Sequence, residues 1–222
     1  MQAGTFWCSL KKFVSDDSMS IALFGLFLLC VAGQALSGWF AYNGSLQAGH
    51  LREIAFSAYL GTGNFLDGMF SNWQAAILQL AALIAFGTVL RQKGAAHSRK
   101  TASSSVRTMN WKFGPRPTAQ EWLYANSLSL AFFGMFAATF ALHALFGEWK
   151  YNEDQALRHL PAISLGSYAS SSSFWFSVFQ CWEAEFLAIG IYVLLSIFLR
   201  QERSPESKSV RASNEQTGGA NE

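Results

Sequence analysis

Two polar residues, Gln34 and His143, interrupt long apolar runs of the chain and stand 109 positions apart. A polar group inside a bilayer span faces the bundle interior, where it lines a conduction or substrate path or hydrogen-bonds across helices as packing glue. For Gln34 and His143 the packing role is the expected one. Gln79 lies in another apolar run, but Ala188 stands 109 positions after it, so for Gln79 the glue role is favoured more strongly still. His50 and His159 form a second pair at the same separation, in polar segments. With Tyr42, Tyr151 or Glu153 they would suit a two-fold metal or proton site. Two histidines this far apart have no ligand spacing, however, and a solvated or loop-packing role is expected. Glu183 and Glu185 flank the start of the last apolar run beside Trp182. There their charge stays wet and favours the positive end of a helix. The corresponding residues earlier in the chain are Gln74 and Ala76, so no spaced carboxylate partner for acid-base work is present. His50, His159, Glu183 and Glu185 therefore make a speculative external site. No GxGxxG, P-loop, HExxH or nucleophile-elbow pattern occurs. Catalytic residues, bound metal and cofactor are all expected to be absent.

The elements that position these residues come in two copies. Trp73 to Gln92 returns as Trp182 to Gln201, and about 25 of roughly 81 positions aligned at this spacing are identical. Gly25 and Gly134, Gly38 and Gly147, Tyr42 and Tyr151, Asn43 and Asn152, and Tyr59 and Tyr168 are among the matches. Each copy holds one apolar run, a polar excursion, and a second apolar run ending in Leu-Arg-Gln. Half of the 222 residues are apolar and only 14% are charged. Four runs, at 19–40, 74–90, 126–146 and 184–199, are long enough to cross a hydrocarbon core of about 30 Å. A soluble helical protein would need polar faces that these runs lack. The expected fold is all-α and integral to the membrane, with four transmembrane helices as two tandem parallel two-helix repeats related by a pseudo-two-fold. Its organisation is an N-terminal segment 1–18, repeat one 19–92, a basic linker 93–118, repeat two 119–201 and a disordered tail 202–222.

Charge sets the expected orientation. Thirteen of the 16 lysines and arginines lie in the N-terminal, middle and C-terminal segments, against Arg52, Lys150 and Arg158 in the excursions. By the positive-inside rule both termini are cytoplasmic, and the chain is a multi-pass protein of the cell (plasma or inner) membrane. A net charge of +2 gives no case for nucleic acid. Cys8, Cys30 and Cys181 make neither a disulfide framework nor a zinc motif. Residues 6–14 alternate Phe6, Trp7, Leu10, Phe13 and Val14 with Lys11 and Lys12, as a helix lying on the inner surface would. Because the matching segment 126–146 is internal, residues 1–35 are not read as a cleaved signal peptide.

Asn64 and Ser173 are the expected N-caps of second helices about 26 residues long. Their first turns, with Trp73 and Trp182, would form an aromatic belt, and Trp39 and Trp149 would anchor the ends of the other spans. Thr118 to Glu121 has the capping-box pattern. Small residues such as Gly25, Gly33, Gly134 and Ala138 suggest close contact between the first and third helices, and a homodimer or a membrane partner protein would use the same surfaces.

Gly33-Gln34-Ala35-Leu36, Tyr151-Asn152-Glu153-Asp154-Gln155, Trp182-Glu183-Ala184-Glu185-Phe186-Leu187 and Phe198-Leu199-Arg200-Gln201 resemble a bacterial family of duplicated two-span membrane proteins, known only as a domain of unknown function. The resemblance implies membrane location and the four-span fold, and brings no activity. The expected function is that of a non-enzymatic membrane protein acting through helix packing, lipid contact or a partner. A small-solute or ion transporter using the repeat interface is the alternative.

Overall fold

The computed structural model describes residues 14–98 and 118–218. Among these residues the chain is all-helical, with four helices long and apolar enough to cross a membrane: Ser18–Ala48, Gly63–Val89, Ser127–Leu157 and Ser172–Phe198. Short helices Phe56–Tyr59 and Leu165–Ala169 precede the second and fourth long helices, and Ala119–Ala125 precedes the third. The amphipathic reading of residues 6–13 falls outside the described residues, as do Cys8 and most of the basic linker.

The helices outrun the apolar patterns that announce them. At 31 residues the first and third long helices reach about 46 Å, so they extend beyond a bilayer core into the polar excursions. The second and fourth start two residues before the expected positions. Thr62 and Ser171 are their N-caps, accepting from Phe65 N and Phe174 N; Asn64 and Ser173 lie inside the helices. Thr118 and Glu121 do form a capping box, but the helix they begin ends at Ala125, and Asn126 separates it from the third long helix.

Each excursion folds back on its own helix in the same manner. Asn43 clamps the backbone of Ile54, donating to its carbonyl (3.1 Å) and accepting from its amide (2.9 Å). Asn152 does the same to Ile163, at 3.0 and 2.9 Å. Tyr59 then covers Gly38, where a Cβ would meet its hydroxyl, and Tyr168 covers Gly147 at 2.6 Å from such a Cβ. Two small cores result at this loop end: Ala35, Tyr59 and Phe65 in one half, and Tyr168, Phe174 and Val178 in the other.

Packing between the halves departs from the expectation. The second and third long helices make by far the most extensive contact, the second and fourth a smaller one, and the first helix touches the second only lightly. Gly25, Gly33 and Gly134 face open space, so the small residues assigned to a contact of first and third helices do not serve one within the chain. Residues 202–218, expected to be a disordered tail, form successive turns around Lys208, which is 1% exposed. Its ammonium donates to the carbonyls of Gly94, Ser213, Asn214 and Gln216 at 2.6–3.3 Å, which meets the hydrogen-bonding demand of a buried charge.

Candidate functional site

The loop-end contact between the second and third long helices concentrates the buried polar side chains. At the second helix's N-terminus the amides of Gly63 and Asn64 have no intrahelical acceptor. The Glu153 carboxylate of the third helix accepts from both, at 2.7 and 3.2 Å, and its charge suits the positive helix end. One turn on, Asp67 is 5% exposed. Lys150 Nζ donates to its Oδ2 at 2.9 Å, and His143 Nε2 lies 3.6 Å from its Oδ1. His143 is fully buried and its Nε2 is 3.3 Å from Ser177 Oγ of the fourth helix. Deeper still, fully buried Gln74 accepts from Trp182 Nε1 at 2.9 Å and donates to Ser71 O.

This closeness depends on two glycines. A Cβ at Gly63 would strike the third helix's backbone, 2.6 Å from the Trp149 carbonyl carbon and 2.7 Å from Lys150 Cα. A Cβ at Gly147 would sit 3.0 Å from Asp67 Oδ1 as well as against Tyr168. Burial, reinforced by the Asp67 charge, pushes the Tyr168 phenol up to about 12 from 10.0, so it stays un-ionised.

Chemically, the cluster is an ion pair with one wet end. The Lys150 side chain is 40% exposed and the Asp67 side chain 8%. Asp67 Oδ1 and His143 Nδ1 are buried and make no hydrogen bond, so the cluster retains one acceptor and one imidazole nitrogen for a proton or a water. Among the described residues no three His, Cys, Asp or Glu side chains stand together as metal ligands would.

Gln34 and His143 each face the second span of their own half and are not paired with one another. Gln34 Nε2 lies 3.2 Å from the place of a Cβ on Gly68, and Ser177, the contact of His143, stands 109 residues after Gly68. Gln79, expected to be glue, donates across helices to Glu185 O at 3.2 Å. Glu185 enters only through that carbonyl, and Glu183 is exposed. His50 and His159 are exposed and share φ 57°, in the left-handed region. Each directly follows a helix's last turn: Leu51 N donates to Leu46 O, and Leu160 N to Gln155 O. Their recurrence thus reflects a helix-ending turn, and Glu153, suggested beside them, instead caps the second helix. Of the tryptophans, Trp39 donates to Ile54 O and Trp182 to Gln74, while Trp73 packs on Phe27 and Phe70 and Trp149 on Phe146.

Sequence reasoning passed over Asp67 and Lys150. The available signal was their failure to repeat: Phe176 and Ala41 occupy the positions 109 away.

A family model described as Domain of unknown function (DUF6766) matches residues 10–219. No curated protein and no solved structure matches the chain.

Proposed function

The chain belongs to this DUF6766 family, and we propose that it is a non-enzymatic integral membrane protein of two tandem two-span repeats, acting as a rigid element that meets lipid or a partner protein. One observation carries the reading: the polar side chains within the spans are spent largely on contacts between helices, with Asp67 on Lys150, His143 on Ser177, Gln74 on Trp182 and Gln79 on Glu185. Such contacts fix the register of helices whose apolar faces carry no preference between protein and lipid. The excess of basic residues in the N-terminal, middle and C-terminal segments over the two excursions favours cytoplasmic termini and residence in the cell membrane.

The unpartnered Asp67 Oδ1 and His143 Nδ1 favour a second reading, a small-solute or ion transporter. One experiment separates the two. Cys8, Cys30 and Cys181 are replaced, single cysteines are placed at Gln34 or His143, and intact cells are treated with a membrane-impermeant maleimide. Protection at both positions, with a Ser45→Cys control labelled, is the expected result. Labelling at both would establish an aqueous path and replace the packing reading with the transporter one.

A further inference from the structure

At the opposite end of the bundle a cleft of about 850 Å³ is lined by the second and fourth long helices. Its walls are apolar, formed by Leu83, Ile84, Phe186, Ile189 and Val193, and Gly87 and Gly190 widen it where a side chain would otherwise project. The flank is open: Phe86, Leu90 and Leu194 at its margin are 55%, 59% and 55% exposed, on surfaces that four spanning helices turn toward acyl chains. One end is not open. There the turn 91–98 crosses the cleft and contributes Arg91, Gln92, His97 and Ser98 to its lining.

That roof is a built feature. Ala96 N donates to Ser196 Oγ of the fourth helix, Gln92 N to Ser98 Oγ, and Gly218 N to Ala95 O. The His97 ring packs tilted against Tyr192 with centroids 5.5 Å apart, and both side chains meet Glu206 O at 3.2 Å. A cleft with greasy walls, a lateral opening and a polar lid at one end fits an amphiphile, with its chain among the helices and its head at the lid. Charge indicates which head. Apart from Lys208, whose ammonium is buried among carbonyls, the turns 91–98 and 200–218 carry five lysines and arginines against three glutamates, and of these Arg91 reaches the lining itself, with His97 beside it as a hydrogen-bonding side chain. Cations at this depth attract anionic headgroups.

We propose that this cleft is a binding site for one anionic phospholipid, held by Arg91 and His97 at its head and by the wall around Gly87 and Gly190 along its chain. The site is remote in the fold from the Asp67 cluster and stands or falls apart from the packing reading. It also gives the ordered tail a role, since Glu206 and Gly218 brace the roof.

The test uses the full chain purified in detergent, with phosphatidylglycerol and phosphatidylcholine of identical acyl chains. Native mass spectra should show one phosphatidylglycerol retained in preference by about tenfold. Arg91→Gln with His97→Gln should abolish the preference while leaving residual binding of both lipids. Gly87→Leu should reduce retention of both. A photoactivatable phosphatidylglycerol should crosslink the wild-type chain within 83–98 or 186–196, an arm that needs no variant to fold. Equal retention of the two lipids, a preference that survives the double substitution, or crosslinks confined to other segments would overturn the proposal.

Discussion

The two halves of this chain agree where each holds itself together and differ where they hold one another. Asn43 and Asn152, Tyr59 and Tyr168, Gly38 and Gly147, and the left-handed His50 and His159 perform the same local tasks 109 residues apart. Even the turns beyond the second and fourth helices match, with Gln92 N on Ser98 Oγ and Gln201 N on Ser207 Oγ, both at 2.9 Å. By contrast Asp67, His143, Lys150 and Glu153 face Phe176, Gln34, Ala41 and Gly44 at the equivalent positions. The close contact of second and third helices occurs once, and its charges therefore occur once. In these halves recurrence marks local folding and its failure marks the charges of the joint, while Gly147 serves both, against Tyr168 and against Asp67.

The sharpest way to break this comparison is to give the joint a residue from the other half. Ser172 stands 109 positions after Gly63 and is accommodated there. Gly63→Ser should cost about 3 kcal/mol, since the backbone of Trp149 and Lys150 must move. The reverse change, Ser172→Gly, should cost no more than about 1 kcal/mol of helix propensity. Thermal unfolding of the two variants in detergent measures the difference.

Lys150→Met should cost about 2 kcal/mol, because it leaves the Asp67 carboxylate buried without its cation. The figure is below that for a fully buried pair because Lys150 is 40% exposed. A double-substitution cycle with Asp67→Asn should recover much of the loss.

The repeated clamps should respond alike, with one informative inequality. Asn43→Ala and Asn152→Ala should each cost between about 1 and 2 kcal/mol. Asn152→Ala should be the worse, since Trp39 Nε1 still donates to Ile54 O after Asn43 is lost, whereas the third helix has Glu148 at that position, which cannot donate. Chemical unfolding curves of the pair decide it.

His50→Gly and His159→Gly should each stabilise by about 0.5 kcal/mol, because glycine adopts φ 57° without strain. Loss of stability or of cellular function in either would restore an imidazole-dependent role.

The smallest effect concerns pH. Burial raises the Tyr168 phenol to about 12 from 10.0, so the stability it contributes is complete below pH 10.0 and is lost as pH climbs toward 12. Burial raises the Tyr59 phenol too, and an absorbance titration of tyrosinate should show that Tyr168→Phe removes the last phenol to ionise.

Sequence alone determined what is written locally. Apolar runs long enough for a bilayer gave the four helices, the Thr118 pattern gave its capping box, and the 109 spacing gave paired features whose roles are now visible in the Asn43 and Asn152 clamps. Each signal rests on hydrophobic transfer or on hydrogen bonding within a few residues, and neighbouring residues carry it. Helix ends were less legible: a polar excursion continues a helix as readily as it ends one, and two hydroxyl-bearing or amide residues near each start competed for the cap. The partners of each helix came from tertiary structure alone. Apolar faces in a bilayer gain little by choosing one another over lipid, so the choice falls to close approach at Gly63 and Gly147 and to a few charges. For the same reason the sequence marked Asp67 by its failure to repeat alone, and its role emerged when Lys150 and His143, 83 and 76 residues later, were brought against it. Lys208, read as part of a disordered tail, is buried because the turn at 213–216 and the distant Gly94 together bring four carbonyls onto its ammonium.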